Sequence, residues 1–170
     1  MNRTRKLTLC AVLISVALVL SYMERFIPLQ MVIPLPGIKL GLANIVGLIA
    51  LYLFGLRYAY PILLARCLLG AAFSGSVTSL LFSLTGGTLS MLVMASARKL
   101  PFLSVYGVSV LGAAAHNIGQ ICTAMVLMHS VYIGAYLPYL LLIAVLTGLA
   151  TGAAGSGVLK VLPGVAIGRT

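Results

Sequence analysis

Six long apolar runs, with the basic residues held almost entirely to the short stretches between them, constrain this chain before any other feature does. The runs are roughly Leu7–Met23, Leu40–Leu56, Tyr58–Phe73, Val77–Ala97, Leu103–His129 and Ala135–Leu159. A bilayer core of about 30 Å takes roughly 20 apolar residues of helix. The expected fold is therefore all-α, a polytopic bundle of six transmembrane helices forming a single integral membrane domain over residues 1–170. The second and third runs are short and meet at a tight Gly55-Leu56-Arg57 turn, so their boundaries are the least defined and a re-entrant hairpin is the competing reading.

Composition excludes the soluble classes. Hydrophobic residues make up 62% and charged residues 7%, against roughly 25% charged in soluble proteins. So few charges cannot cover a water-facing surface, whereas lipid solvates apolar side chains directly. The net charge of +10 does not point to nucleic acid, because that reading requires a clustered basic face. The eleven basic residues are instead scattered as flanks of spans, so the expected surroundings are the bilayer and no nucleic acid. Cys10, Cys67 and Cys122 are an odd number, far apart and inside apolar runs. They read as buried small hydrophobes, and no metal-ligand spacing or cofactor motif accompanies them. Arg3, Arg5 and Lys6 before an apolar run resemble a signal peptide. No small-x-small cleavage site precedes Ser21-Tyr22-Met23-Glu24, so an uncleaved first helix is expected.

Charge placement sets the orientation. With the N-terminus inside, the cytoplasmic segments hold Arg3, Arg5, Lys6, Arg57, Arg98, Lys99, Lys160 and Arg169, and the external ones only Arg25 and Lys39. This bias favours a multi-pass protein of the inner (cytoplasmic) membrane with both ends in the cytoplasm. One connection is longer than the rest. Residues 24–39 carry Pro28, Pro34 and Pro36 among apolar residues, and proline excludes a continuous helix there. Such a segment reads either as an external lid over a pocket or as a stretch resting in the lipid interface.

Polar residues at membrane depth are the candidates for function, because they are expensive there and tend to face a protein interior. Arg66 sits near the middle of the third span, and the single acidic residue of the chain, Glu24, lies at the external end of the first. Arg66 therefore either bonds carbonyls and polar side chains, snorkels, or meets an anion brought by a ligand. Lys39 opens the second span at its external mouth, with Asn44 a turn or so deeper. Lys39 reads either as an ordinary interfacial lysine or, taken with Asn44 and Arg66, as part of a site for an anionic group. In the fifth span Gly112, His116 and Gln120 recur every fourth residue, with Asn117 and Thr123 beside them, so helical spacing puts them on one face. That stripe lines a cavity or hydrogen-bonds between helices, and the two roles are compatible. The fourth span offers Ser83, Thr85-Gly86-Gly87-Thr88 and Ser90, where paired glycines allow close backbone approach. The candidate substrate contacts are thus Lys39, Asn44, Arg66, Thr85, His116, Asn117 and Gln120. Thr147, Gly148, Thr151, Gly152, Gly155 and Ser156 in the last span read as a helix-packing stripe, and Ala11 with Ser15 as a small face of the first span.

Several of these strings together resemble a known family. Pro-Gly-Ile-Lys-Leu-Gly-Leu-Ala-Asn at 36–44, the span around Arg66, Ser83-Leu84-Thr85-Gly86-Gly87 and Ala115-His116-Asn117-Ile118-Gly119-Gln120 look like the Gx transporter family, also labelled heptaprenyl diphosphate synthase component I. That family is similar to the substrate-binding S components of energy-coupling factor transporters. The resemblance implies a six-helix S component that holds a small molecule in an externally accessible pocket under its first loop. It also implies partners, a transmembrane coupling protein and two cytoplasmic ATPases, met in related S components through an Ala-x-x-x-Ala motif in the first helix. Ala11 and Ser15 are an imperfect copy of that motif. No Walker motif is present, so ATP hydrolysis would belong to a partner.

The family's second label raises prenyl synthesis. Trans-prenyl synthases hold Mg²⁺ with aspartate clusters, and Mg²⁺ favours carboxylate and water oxygens. With Glu24 as the sole acid and no Asp at all, catalysis is not expected. The alternative is a noncatalytic membrane subunit of a separate prenyl (heptaprenyl) diphosphate synthase in quinone biosynthesis.

Overall fold

Two glycines with positive φ set the punctuation of the helices. Gly55 (φ 75°) separates the second helix from the third, and Gly75 (φ 62°) ends the third in the left-handed region that a Cβ disfavours. The structure is a computed structural model that describes residues 3–26, 39 and 41–161. Its helices are α1 (Arg3–Met23), α2 (Asn44–Phe54), α3 (Leu56–Ser74), α4 (Val77–Ala97), α5 (Val105–Leu127) and α6 (Leu137–Val161), with short 3-10 turns at Glu24–Phe26 and Val131–Tyr136. No strand occurs among the described residues. The proline-rich part of the connection expected to form a lid, residues 27–38, lies outside the described residues.

Serine caps start α4 and α5. Ser76 Oγ accepts from Ser79 N–H at 3.1 Å, and Ser104 Oγ from Gly107 N–H at 3.3 Å, each satisfying one of the amides a helix start leaves open. Pro61 lies inside α3, where it has no N–H to donate to the Arg57 carbonyl.

Among the described residues five helices are long and apolar enough to cross a membrane, so the chain is a multi-pass membrane protein. The exception corrects the expected second span. Helix α2 has 11 residues, about 16 Å at 1.5 Å per residue and too short for a core of about 30 Å. Residues 41–43 do not extend it: Gly41 takes φ 82° and Leu42-Ala43 form a turn. A helix end at membrane depth needs partners for its open amides and carbonyls, and α2 has them. Glu24 Oε1 accepts from Leu42 N–H at 2.9 Å in the turn just before the helix. At the other end the Arg98 guanidinium donates to the carbonyls of Leu51 and Tyr52 and stacks over the Tyr52 ring. An anion before the N-terminus and a cation at the C-terminus also suit the helix dipole. Arg98→Ala is therefore expected to lower the thermal stability of the detergent-solubilised protein by about 1 kcal/mol, read as a lower unfolding temperature, with Arg98→Lys recovering part of it.

Helix α5 is central, packed between α4 and α6. Small residues bring these helices together: a Cβ at Gly148 would lie 2.6 Å from Val110 Cα, and one at Gly119 2.8 Å from Gly86 Cα. Ser109 and Thr151 hydroxyls bond at 2.7 Å across the α5–α6 contact. The glycine-threonine stripe of α6 is thus a packing surface. Helix α1 is peripheral. It touches α2 and α3, and Ala17 is its one fully buried residue among those described. Ala11 and Ser15 point outward from the bundle, with Ser15 Oγ donating to Ala11 O at 3.1 Å. Of the cysteines only Cys67 is buried; Cys10 is half-buried and Cys122 faces outward. The burial expected for all three therefore holds for one, because lipid accepts an apolar thiol as readily as the interior does.

Candidate functional site

The start of α2 is the centre of the site, because its shortness places its N-terminal turn among side chains of α1, α3, α4 and α5. Arg66, buried on α3, donates from Nη2 to Asn44 Oδ1 at 3.3 Å and from Nη1 to Ser21 Oγ of α1 at 3.4 Å. Lys39 Nζ donates to Ser83 Oγ of α4 at 2.9 Å, and Lys39 N–H to Gln120 Oε1 of α5 at 3.3 Å. With its oxygen thus engaged, Gln120 turns its amide nitrogen to His116 Nε2, 3.0 Å away. The imidazole nitrogen must accept there, which makes His116 the Nδ1-protonated neutral tautomer.

Between α1, α3 and α4 lies a cavity of about 400 Å³, within the range of roughly 300–1,000 Å³ typical of small-molecule pockets. Lys39 and Arg66 both line it, with the hydroxyls of Ser21, Ser79 and Ser83. The remaining wall is largely apolar, from Leu18, Val19, Tyr22, Cys67, Gly70, Ala71 and Phe73. Val19, Tyr22 and Phe73 are also strongly exposed, so the cavity's rim lies at the outer faces of α1 and α3. Two cations facing an apolar hollow are chemically suited to an anionic head group with an apolar body.

The other polar residues form a second row. Asn44 holds Arg66, and Gln120 and His116 hold Lys39; none of these three lines the cavity. Asn44 Nδ2 is buried with no hydrogen-bond partner among the described residues, and Gly41 and Gly86 are tight against Asn44 and His116, a Cβ at these positions falling 2.8 Å from Asn44 Nδ2 and 3.0 Å from His116 Nδ1. Two of the sequence candidates stand apart. Thr85 is exposed and bonds Thr123 Oγ1 at 2.6 Å, and Asn117 donates to Leu140 O of α6 at 2.7 Å. Asn117 thus fastens α5 to α6 in this structure.

Sequence reasoning did not place Ser21, Tyr22, Ser79 or Glu24 at the site. Ser21, in the last turn of α1, and Glu24, the first residue of the 3-10 turn after it, are three residues apart and both face the start of α2. Glu24 is 5% exposed. Burial pushes its carboxyl above the ordinary carboxylate value, opposed first by the backbone N–H groups of Leu42 and Gly41 and then by the nearby charges of Lys39 and Arg66, which all act to lower it.

No curated protein and no solved structure matches the chain. The model of one protein family does, over residues 13–158, a stretch that takes in every side chain of the cavity and of the row behind it. On that match the chain belongs to the family described as heptaprenyl diphosphate synthase component I.

Proposed function

We propose that the protein is the membrane-embedded substrate-binding subunit of an energy-coupling factor type importer in the inner membrane, holding a small amphipathic anion between Lys39 and Arg66. The observation that supports this reading most is that two cations, Lys39 and Arg66, share one mainly apolar cavity of ligand size. The protein binds its guest and does not transform it. With a single acidic residue and no Asp, the chain lacks the carboxylates that a metal-assisted ionisation of a diphosphate would need. Energy for release would come from a transmembrane coupling protein and two cytoplasmic ATPases. The outward Ala11–Ser15 face of α1, uncovered by the rest of the bundle, is available to such a partner.

The family's description supports a second reading, a noncatalytic membrane subunit bound to a soluble prenyl diphosphate synthase. Affinity purification from mildly solubilised native membranes separates the two. The importer reading expects a polytopic coupling protein and two ATPases in the eluate, and loss of uptake in Lys39→Met cells at normal protein level. Stoichiometric recovery of a prenyl synthase without ATPases would replace it with the second reading.

A further inference from the structure

Glu24 is the one acid in the chain, and it is buried beside the two cations of the cavity. The residues around it are tied to Arg66 and to the start of α2. Ser21 of α1, three residues before it, accepts from Arg66. The segment entering α2 supplies Leu42 N–H, bonded to Oε1. Two residues further on, Asn44 accepts from the same Arg66. Lys39, on that same segment, faces the cavity with Arg66. A guest anion in the cavity and the Glu24 carboxylate therefore draw on the same two positive charges in a region of low dielectric, where they repel each other.

We infer that an anionic guest and ionised Glu24 compete for Lys39 and Arg66, so that binding of the guest is coupled to uptake of one proton by Glu24. This inference rests on the amphipathic-anion reading of the cavity. The proton comes from solvent onto Oε2, and Oε1, now a carbonyl oxygen, still accepts from Leu42 N–H, so the fold around the start of α2 is kept. The other titratable groups nearby do not offer the same response. His116 on α5 bonds Gln120 behind Lys39 and does not line the cavity. Tyr22 on α1 and Cys67 on α3 line the cavity but carry no charge in their protonated forms. Burial already drives Glu24 toward its protonated form, against the pull of Lys39 and Arg66, and an added anion offsets that pull. The sign follows: stronger binding at low pH, weakening as pH rises through the Glu24 titration.

The test titrates decyl sulfonate, which stays ionised throughout, into the purified protein in a neutral detergent from about pH 5 to about pH 9. The expected result is an affinity that falls by up to about tenfold per pH unit across the Glu24 transition. Glu24→Gln keeps the acceptor for Leu42 N–H, and is expected to abolish the slope and to hold the low-pH affinity at high pH. In weakly buffered solution, ligand addition to the wild type should also turn a pH indicator alkaline, and addition to Glu24→Gln should not. Binding that is flat with pH, or an equal slope in Glu24→Gln, overturns the coupling while leaving the anion site standing. No binding of the probe at any pH overturns the anion site, and the coupling with it.

Discussion

Replacing both Lys39 and Arg66 by methionine is expected to weaken binding of an amphipathic anion such as decyl sulfonate by about a hundredfold or more. Each hydrogen bond to a charged group contributes about 1.5–3 kcal/mol, and about 1.4 kcal/mol is a factor of ten. Methionine keeps most of the apolar stem of each side chain, so the cavity wall remains. The single variants are not equivalent. Arg66→Met also leaves Asn44 Oδ1 and Ser21 Oγ without their guanidinium donor, so it should lose stability as well as affinity. Lys39→Met removes the donor to Ser83 Oγ, a hydroxyl that can turn to another partner, so its loss should be mainly in affinity. Calorimetric titration alongside thermal unfolding in detergent separates the two effects. Unchanged affinity in the double variant would mean that the cations serve packing and topology alone.

Gly86→Ala should lower both stability and affinity, although residue 86 does not line the cavity. A Cβ there would lie 2.9 Å from the His116 carbonyl oxygen and 3.0 Å from the imidazole, and the backbone of α5 cannot yield as a flexible side chain would. Overpacking of this kind costs about 1–3 kcal/mol. The displacement runs from His116 to Gln120 and from Gln120 to the Lys39 backbone. The expected result is a lower unfolding temperature together with a several-fold loss of anion affinity. Gly157→Ala, at a position with open space around its Cβ, should change neither. If Gly86→Ala behaves like Gly157→Ala, the row behind Lys39 has no positioning role.

Local signals made most of the architecture readable from the residues. The range Val77–Ala97 is the same in sequence and structure because Ser76 caps one end and Arg98 closes the other. Leu103–His129 and Ala135–Leu159 differ from the observed helices by about two residues at each end, the usual fraying range. The second span was overestimated for a physical reason: Leu40, Leu42 and Ala43 are apolar, and hydropathy does not separate an apolar turn from an apolar helix. Only Gly41 marks the break, and its φ is a property of the folded chain. Lys39, Asn44 and Arg66 were recognisable as one cluster because charge at lipid depth is conspicuous in a chain with so few polar groups. The His116–Gln120 stripe was legible as a face, and the structure shows that face turned to α4 and Lys39 instead of lining the cavity. Glu24 and Ser21 were not legible as site residues, because their partners Leu42 and Arg66 lie 18 and 45 positions away. Thr85 and Asn117 matched the pattern in sequence, but their hydrogen bonds run to Thr123 and Leu140.

Helix α2 joins these observations. The turn that starts α2 brings Asn44 to Arg66, and Lys39 before it joins Arg66 in giving the hollow between α1, α3 and α4 two positive walls. The direct measurement is native mass spectrometry of the protein extracted from its own membranes in a mild neutral detergent, beside the Lys39→Met/Arg66→Met variant prepared identically. The account predicts a small anionic adduct on the wild-type protein that is absent from the variant. A wild-type protein that emerges bare, or an adduct that the variant keeps in full, would contradict it.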